Sequence, residues 1–400
     1  MTRTLAISAQ PGELRAAWLC DGELTDFSLR RDDAPGYADN VYLGRVASLD
    51  KALGAAFVEI GLSRPGFLPL SEAPKGLSAG EPLVVRVKRE PGEGGHEGKG
   101  ARLTAWRDGP PAPMKAAAAR ARPPSLLHDA GDPLGVLGDG PELPNEIVID
   151  EEACHARARE VLAARPELQS RLRLDLEPRP LFERLGLEAE IEALLAPEVS
   201  LPSGGSLLIE PGRTLTAIDV NAGRHGAGGA GGQALAVDLE AAAVIARQVR
   251  LRNLSGLLVV DFLALGDPAA RRRVTAALKD AFRGDPKPTR IEAMRPSGLL
   301  EMTRRRARPP LHESLTEPCG HCASGRVMSA PSLAFQALRE LRAQAAGRPL
   351  RRLALRAAPG VAAALEGPCA TARAALEARL GRTLEISLDP GETGFRIVLD

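Results

Sequence analysis

Aromatic side chains are scarce in this 400-residue sequence: eight Phe, two Tyr and two Trp. Lysine is scarcer still, so nearly all of the 52 Lys+Arg residues are arginine, a cation that grips phosphate in a bidentate way. Three of the five cysteines, Cys20, Cys154 and Cys369, stand alone, which excludes a disulfide framework and points to a reducing compartment. No run approaches the roughly twenty apolar residues of a membrane-spanning helix. The opening MTRTLAISAQPGELR has no cationic stretch followed by a sustained apolar one, so no secretory signal is expected and the expected location is cytoplasmic. With 52 basic and 51 acidic residues the formal net charge is +1, so any polyanion must be held by local patches. A hydrophobic content of 44% excludes extended disorder.

What is present falls into several modules, since the chain is longer than one compact domain usually is. Residues 1–36 are a short β-rich opening, too small to fold alone. From about residue 37 to 105 the runs NVYLGRVASL, AAFVEIG, GFLPL and PLVVRVKRE, separated by Gly and Pro, suit a small five-stranded barrel of the OB type. Residues 106–124, rich in Pro, Ala and Arg, read as a linker or as a loop beside a helical turn. Residues 125–195 mix short strands with two helical stretches. From residue 196 to 315 the pattern is α/β, with a hairpin of LPSGGSLLIE and RTLTAIDV, the helix VDLEAAAVIARQVRLRN, the strand GLLVVDF and a further helix. CGHC lies within 316–326. The tail, 327–400, reads as one helix, two Arg-rich strands and a final Gly-containing hairpin.

Asp219 closes one apolar run and Asp261 another, with a helix between them. Strand, helix, strand is a right-handed parallel crossover, which returns both carboxyl ends to the same sheet edge. Two carboxylates there suit Mg²⁺, a hard ion that takes oxygen ligands and keeps several waters. The bland alternative is that each Asp caps a helix or closes a turn. Asn221 offers a neutral oxygen near Asp219, and Arg224 reads as a phosphate clamp or a solvated loop residue. The stretch GRHGAGGAGGQ reads as a flexible loop or a backbone cradle for phosphate. Cys319 and Cys322 read as half of a tetrahedral zinc site or as a redox-active CxxC, and the Pro- and Gly-rich surroundings favour zinc. The other half could come from His312, His321, an isolated cysteine or a second copy of the chain. Half of the rings (Trp18, Phe27, Tyr37, Tyr42, Phe57 and Phe67) lie in or just before the barrel. Phe57 and Phe67 either stack bases or fill its core.

Together these residues resemble the ribonuclease E/G family of bacterial endoribonucleases. NVYLGRV, AAFVEIG and RPGFLPL are similar to its S1-type barrel. LTAIDVNAGR and VDLEAAAVIARQVRLRNLSGLLVVDF are similar to its catalytic core, and SGLLEMTRRRARPPL before CGHC to its zinc link. The resemblance implies an α+β multidomain fold. A ribonuclease H-like part (1–36 and 125–195) is interrupted by the S1-type OB barrel and followed by a deoxyribonuclease I-like domain (196–315), a zinc link and a small C-terminal α/β domain. It implies that Asp219 and Asp261 bind a catalytic Mg²⁺, that Asn221 positions the reacting groups, and that Phe57, Phe67 and Lys99 contact RNA. It also implies a Zn²⁺ shared between subunits through Cys319 and Cys322, giving a homodimer or, by pairing of dimers, a tetramer. The expected activity is cleavage of single-stranded RNA to 5′-phosphate and 3′-hydroxyl ends. The rival is a non-catalytic RNA-binding or assembly protein on the same scaffold, and a further enzyme alternative is a phosphodiesterase acting on DNA or a small nucleotide. Three departures stand out, one of them a C-terminal domain (327–400) that is short and matches the family poorly. Residues 106–124 occupy the place of the family's 5′-end sensor, implying indifference to the 5′ end, and Ala264 stands where family members usually carry a further acid.

Overall fold

The computed structural model describes residues 1–32, 36–91, 100–134, 143–163, 165–212, 214–223, 232–306, 308–320, 325–345 and 353–399. The fold is mixed α+β, with several sheets and a small closed barrel. Contacts divide the chain into two units, Pro35–Asp139 with Arg306–Arg308, and Met1–Ala34, Gly140–Arg305 with Pro309–Asp400. Among the described residues no helix is long and apolar enough to cross a membrane.

In the barrel unit, the strand Val41–Asp50 pairs antiparallel with Ala55–Glu59 and with Pro82–Arg89. Ala55–Glu59 continues to Gly66–Pro69, which lies parallel to Arg102–Ala105, and that strand returns to Pro82–Arg89. This circuit of five strands is closed. Alternation along the strands turns Val46, Val58, Leu68, Val85, Val87 and Leu103 inward as its core.

The segment expected to be a linker is ordered onto this unit. Ala112–Arg120 is a helix with a proline in its first turn, and Ser125–His128 pairs with the start of Val41–Asp50. The cause is the two-sided apolar character of NVYLGRV. Tyr42 faces the barrel core while Val41 and Leu43 face outward, and Trp106, Met114, Ala118, Ala121 and Leu127 cover them.

The second unit opens with a five-stranded sheet ordered Leu172–Leu174, Glu146–Ile149, Arg3–Gln10, Glu13–Cys20, Glu23–Arg31. Its first three strands are parallel and the last two form an antiparallel meander. Leu181, Phe182, Leu187 and Ile191 pack against Ala6, Ala17, Leu24 and Val148. The buried Glu13 carboxylate takes Arg31 at 2.9 Å and Arg339 at 2.6 Å, the latter from the helix Ala330–Ala345, with Arg15 at 3.7 Å. Arg31 also donates to the Ser314 carbonyl and the Ser332 hydroxyl, so one acid joins the opening sheet to the chain's last third.

The six-stranded sheet runs Glu198–Ser200, Ser206–Pro211, Leu215–Asn221, Gly256–Asp261, Leu299–Arg304, Thr289–Ile291. Only its central pair, Leu215–Asn221 with Gly256–Asp261, is parallel. That pair is joined through the helix Gly232–Leu251, whose Val237, Ala241, Ala242, Ile245 and Val249 pack with Ile218, Val220, Leu258 and Val260. Buried Arg304 clamps this sheet to Asp285 at 2.7 Å and to the Leu254 carbonyl at 2.9 Å.

The C-terminal region differs from the expected helix, strands and hairpin. Its described residues include three helices, Ala330–Ala345, Pro359–Glu366 and Ala370–Leu380. Its last two strands, Glu385–Leu388 and Phe395–Leu399, do not pair with each other: both flank Leu353–Ala357, one parallel and one antiparallel. Leu353, Leu355 and Ala357 are all buried in the small core, which places that strand at the centre.

Candidate active site

Burial alternates along Leu215–Asn221. Thr216, Ile218 and Val220 are buried, whereas Ala217, Asp219 and Asn221 are exposed. Along Gly256–Asp261, Leu258 and Val260 are buried and Asp261 is exposed. The parallel register pairs Asp219 directly with Asp261. Adjacent strands lie about 4.8 Å apart, so two carboxylates side by side on one face can both reach an ion whose bonds to oxygen are about 2.1 Å long. The Asn221 side-chain amide donates to Asp219 Oδ2 at 2.9 Å and fixes that carboxylate.

Backbone turns close on both strand ends. Gly298 has a φ of +98°, and a Cβ there would sit 2.2 Å from the Phe262 carbonyl oxygen and 3.5 Å from Asp261 Oδ1. Only glycine lets this turn meet the chain as it leaves Asp261. At the other end, a Cβ on Gly205 would lie 2.4 Å from the Asn221 carbonyl oxygen, which gives the SGG of LPSGGSLLIE its physical reason.

In kind the donor set suits a hard divalent cation such as Mg²⁺: two exposed carboxylates side by side and a neutral amide beside one of them. Ala264 is exposed and brings no further acid. Among the described residues no group of three or more His, Cys, Asp and Glu gathers as a metal cage. Arg224, Lys99 and Cys322 lie outside the described residues, as does most of the Gly-rich stretch.

In the barrel unit, Phe57 and Phe67 are register partners, with ring centroids 6.1 Å apart and planes at 75°. Both are half-buried, and neither belongs to the core that Ala56, Val58 and Leu68 form beside them. Cys319 is half-buried, and its N–H donates to the Gly325 carbonyl at 2.8 Å, beside a hairpin of Thr316–Pro318 and Arg326–Met328. His312 is neutral, held at about 4 by burial with Arg326 and Arg252 nearby.

The description "Ribonuclease E/G family" belongs to the family model that matches residues 112–307. The chain is similar to the ribonuclease E/G family along most of its length. It is 31% identical to ribonuclease E of Haemophilus influenzae over 86% of this chain and 46% of that protein. It is 26% identical to ribonuclease G of Salmonella typhimurium over 98% of each, and 37% identical to a chloroplastic ribonuclease E/G-like protein of Arabidopsis thaliana over 51% of this chain. The chain spans less than half the length of the ribonuclease E proteins it matches.

Asp238, Glu240 and Gly298 escaped the sequence reading. The available signal was an acid inside the apolar stripe of VDLEAAAVIA. Asp238 is fully buried, and burial pushes it up to about 7 even though its Oδ1 accepts the Leu263 N–H at 3.1 Å. Between about pH 4 and 7 the unfolded chain gives up this proton while the folded chain keeps it, so stability falls as pH rises through that window and stays low above it. Asp238→Asn should therefore raise the melting temperature at pH 8, relieving a penalty on the order of 4 kcal/mol, and change little at pH 4. Melting curves at the two pH values check this.

Proposed function

We propose that this chain is a Mg²⁺-dependent endoribonuclease that cuts single-stranded RNA to 5′-phosphate and 3′-hydroxyl ends. The observation that carries the proposal is the pairing of Asp219 with Asp261 across the parallel strands. Asp219 and Asp261 would hold the ion, and Asn221 orients Asp219 and positions the reacting groups. When bound, Mg²⁺ supplies Lewis-acid chemistry: it lowers the pKa of water and offsets charge developing on the phosphate. Neither a His nor a Lys nucleophile is needed. In this reading the five-stranded sheet is the ribonuclease H-like part and the six-stranded sheet the deoxyribonuclease I-like part.

Phe57 and Phe67, outside the barrel core, would stack bases while cations track the backbone. Lys99 and Arg224 are proposed as phosphate contacts. A groove that stacks bases rejects rigid duplex, so unpaired RNA is the substrate. With no room for a 5′-sensing subdomain in 106–124, cleavage should be indifferent to a 5′-mono- or triphosphate.

Cys319 and Cys322 would share Zn²⁺ with the same pair of a second copy, in a Cys₄ site. Native mass should halve when a zinc chelator is added, and an unchanged mass would exclude the shared site.

The functional test is a short single-stranded RNA and its DNA counterpart, each incubated with the protein and Mg²⁺ or EDTA. Cleavage of the RNA alone, only with Mg²⁺, is the expected result. Tight binding without cleavage would establish the non-catalytic alternative, for which the missing acid at Ala264 is the favouring observation.

A further inference from the structure

We propose that Asp238 and Glu240, two acids on the crossover helix, are positioning residues that hold both strand ends of the candidate active site in place. The proposal rests on the reading of Asp219 and Asp261 as a metal site, and on the nuclease reading for its rate measurements. The helix Gly232–Leu251 connects the strand bearing Asp219 and Asn221 to the strand bearing Asp261. Asp238 Oδ1 accepts the N–H of Leu263 at 3.1 Å, two residues beyond Asp261. Glu240 Oε1 accepts the N–H of Ser203 at 3.1 Å, in the turn whose Gly205 abuts the carbonyl of Asn221. Successive residues are about 100° apart around a helix, so acids two positions apart project to nearly opposite sides. One short segment thereby reaches the loops at two neighbouring strand ends.

A helix serving only the core would carry an apolar residue at 238, where Ala241, Ala242 and Ile245 continue the buried stripe. A carboxyl group stands there instead, fully buried, with Oδ2 lacking a partner. Burying it with one hydrogen bond costs stability. That bond fixes a backbone N–H, and so the direction in which the chain leaves Asp261. The opposing contact is the Gly298 turn, whose carbonyl accepts the Phe262 N–H at 3.2 Å. Asp261 is thus held between two anchors on consecutive amides, while Glu240 secures the turn that backs Asn221.

The test uses the full chain and three variants. Asp238→Asn keeps an acceptor for Leu263, Asp238→Leu removes it at similar volume, and Glu240→Ala releases Ser203. Isothermal titration with Mn²⁺ reads the placement of the carboxylate pair without any RNA cleavage. Mn²⁺ affinity should fall about tenfold in Asp238→Leu, by less in Glu240→Ala, and stay close to wild type in Asp238→Asn. The kcat for RNA should fall in parallel, with KM unchanged. Wild-type Mn²⁺ affinity in Asp238→Leu, with only a lower melting temperature, would overturn the proposal, and so would equal defects in the Asn and Leu variants. Should Asp238→Leu fail to fold, unchanged Mn²⁺ affinity in the half-exposed Glu240→Ala variant would overturn it. A wild type that binds Mn²⁺ but cuts no RNA sinks the nuclease reading and leaves this arm decisive. Absence of Mn²⁺ binding by the wild type would overturn both.

Discussion

Asp219→Asn is expected to slow RNA cleavage about a thousandfold, equivalent to about 4 kcal/mol of barrier, while RNA affinity stays within about twofold. The substitution keeps the side chain's size and an oxygen that can still accept the Asn221 amide, 2.9 Å away in the wild type. What it removes is one of the two negative charges that the parallel register sets side by side. In the proposed reading Asp261 would then be the one carboxylate left to hold a divalent ion, and charge developing on the phosphate would be less well offset. In the proposed reading RNA affinity rests on other groups, chiefly cations and the half-buried rings of Phe57 and Phe67, so it should be spared. Single-turnover rates at saturating Mg²⁺, beside fluorescence anisotropy of a labelled RNA, separate the two effects. A parallel loss of affinity would mean that Asp219 holds the fold rather than the ion.

Glu13→Ala should be the most damaging single change to stability outside the apolar cores, at about 3–5 kcal/mol. Glu13 is buried with Arg31, Arg339 and Arg15 around it, and Arg15 and Arg31 are themselves buried. The arginines also lie over aromatic rings, Arg15 over Phe182 at 4.5 Å and Arg31 over Phe335 at 4.9 Å, so they are poorly placed to swing into water. Glu188 still pairs with Arg15 at 2.9 Å, but Arg31 and Arg339 lose their carboxylate. Urea titration of the variant measures the loss. Burial alone would raise the Glu13 carboxyl, yet Arg339, Arg31 and Arg15 outweigh it and hold it at about 2. The unfolded chain takes up this proton near 4.5, so the contribution is present above that pH and is lost as pH falls toward 2. Acid unfolding should therefore begin at higher pH in the variant.

Where local pattern and burial agreed, the sequence was readable. LTAIDVN and GLLVVD alternate or run apolar to their closing Asp, and the helix between them is long enough to dictate a parallel crossover. That Asp219 and Asp261 end at the same sheet edge follows from chain direction, whereas their direct register pairing is a finding of the structure. The barrel was readable for the same reason, through period-two runs broken by Gly and Pro. Contacts that depend on distant partners were not readable. The Pro- and Ala-rich stretch after Trp106 has an apolar stripe weak enough to read as a linker or a single helical turn, and becomes a nine-residue helix that covers Val41 and Leu43. GETG between the last two strands looked like a hairpin turn, but the buried strand Leu353–Ala357 separates them. Asp238 was hidden because one acid in a helix ordinarily faces water, and nothing local revealed Leu263 as its partner.

The central claim is that Asp219 and Asp261 grip one divalent ion between them. Paramagnetic resonance of Mn²⁺ titrated into the wild type, Asp219→Asn and Asp261→Asn tests it most directly. A single tight Mn²⁺ per wild-type chain, lost alike in both variants, is the predicted result. Unchanged Mn²⁺ binding in either variant would contradict it.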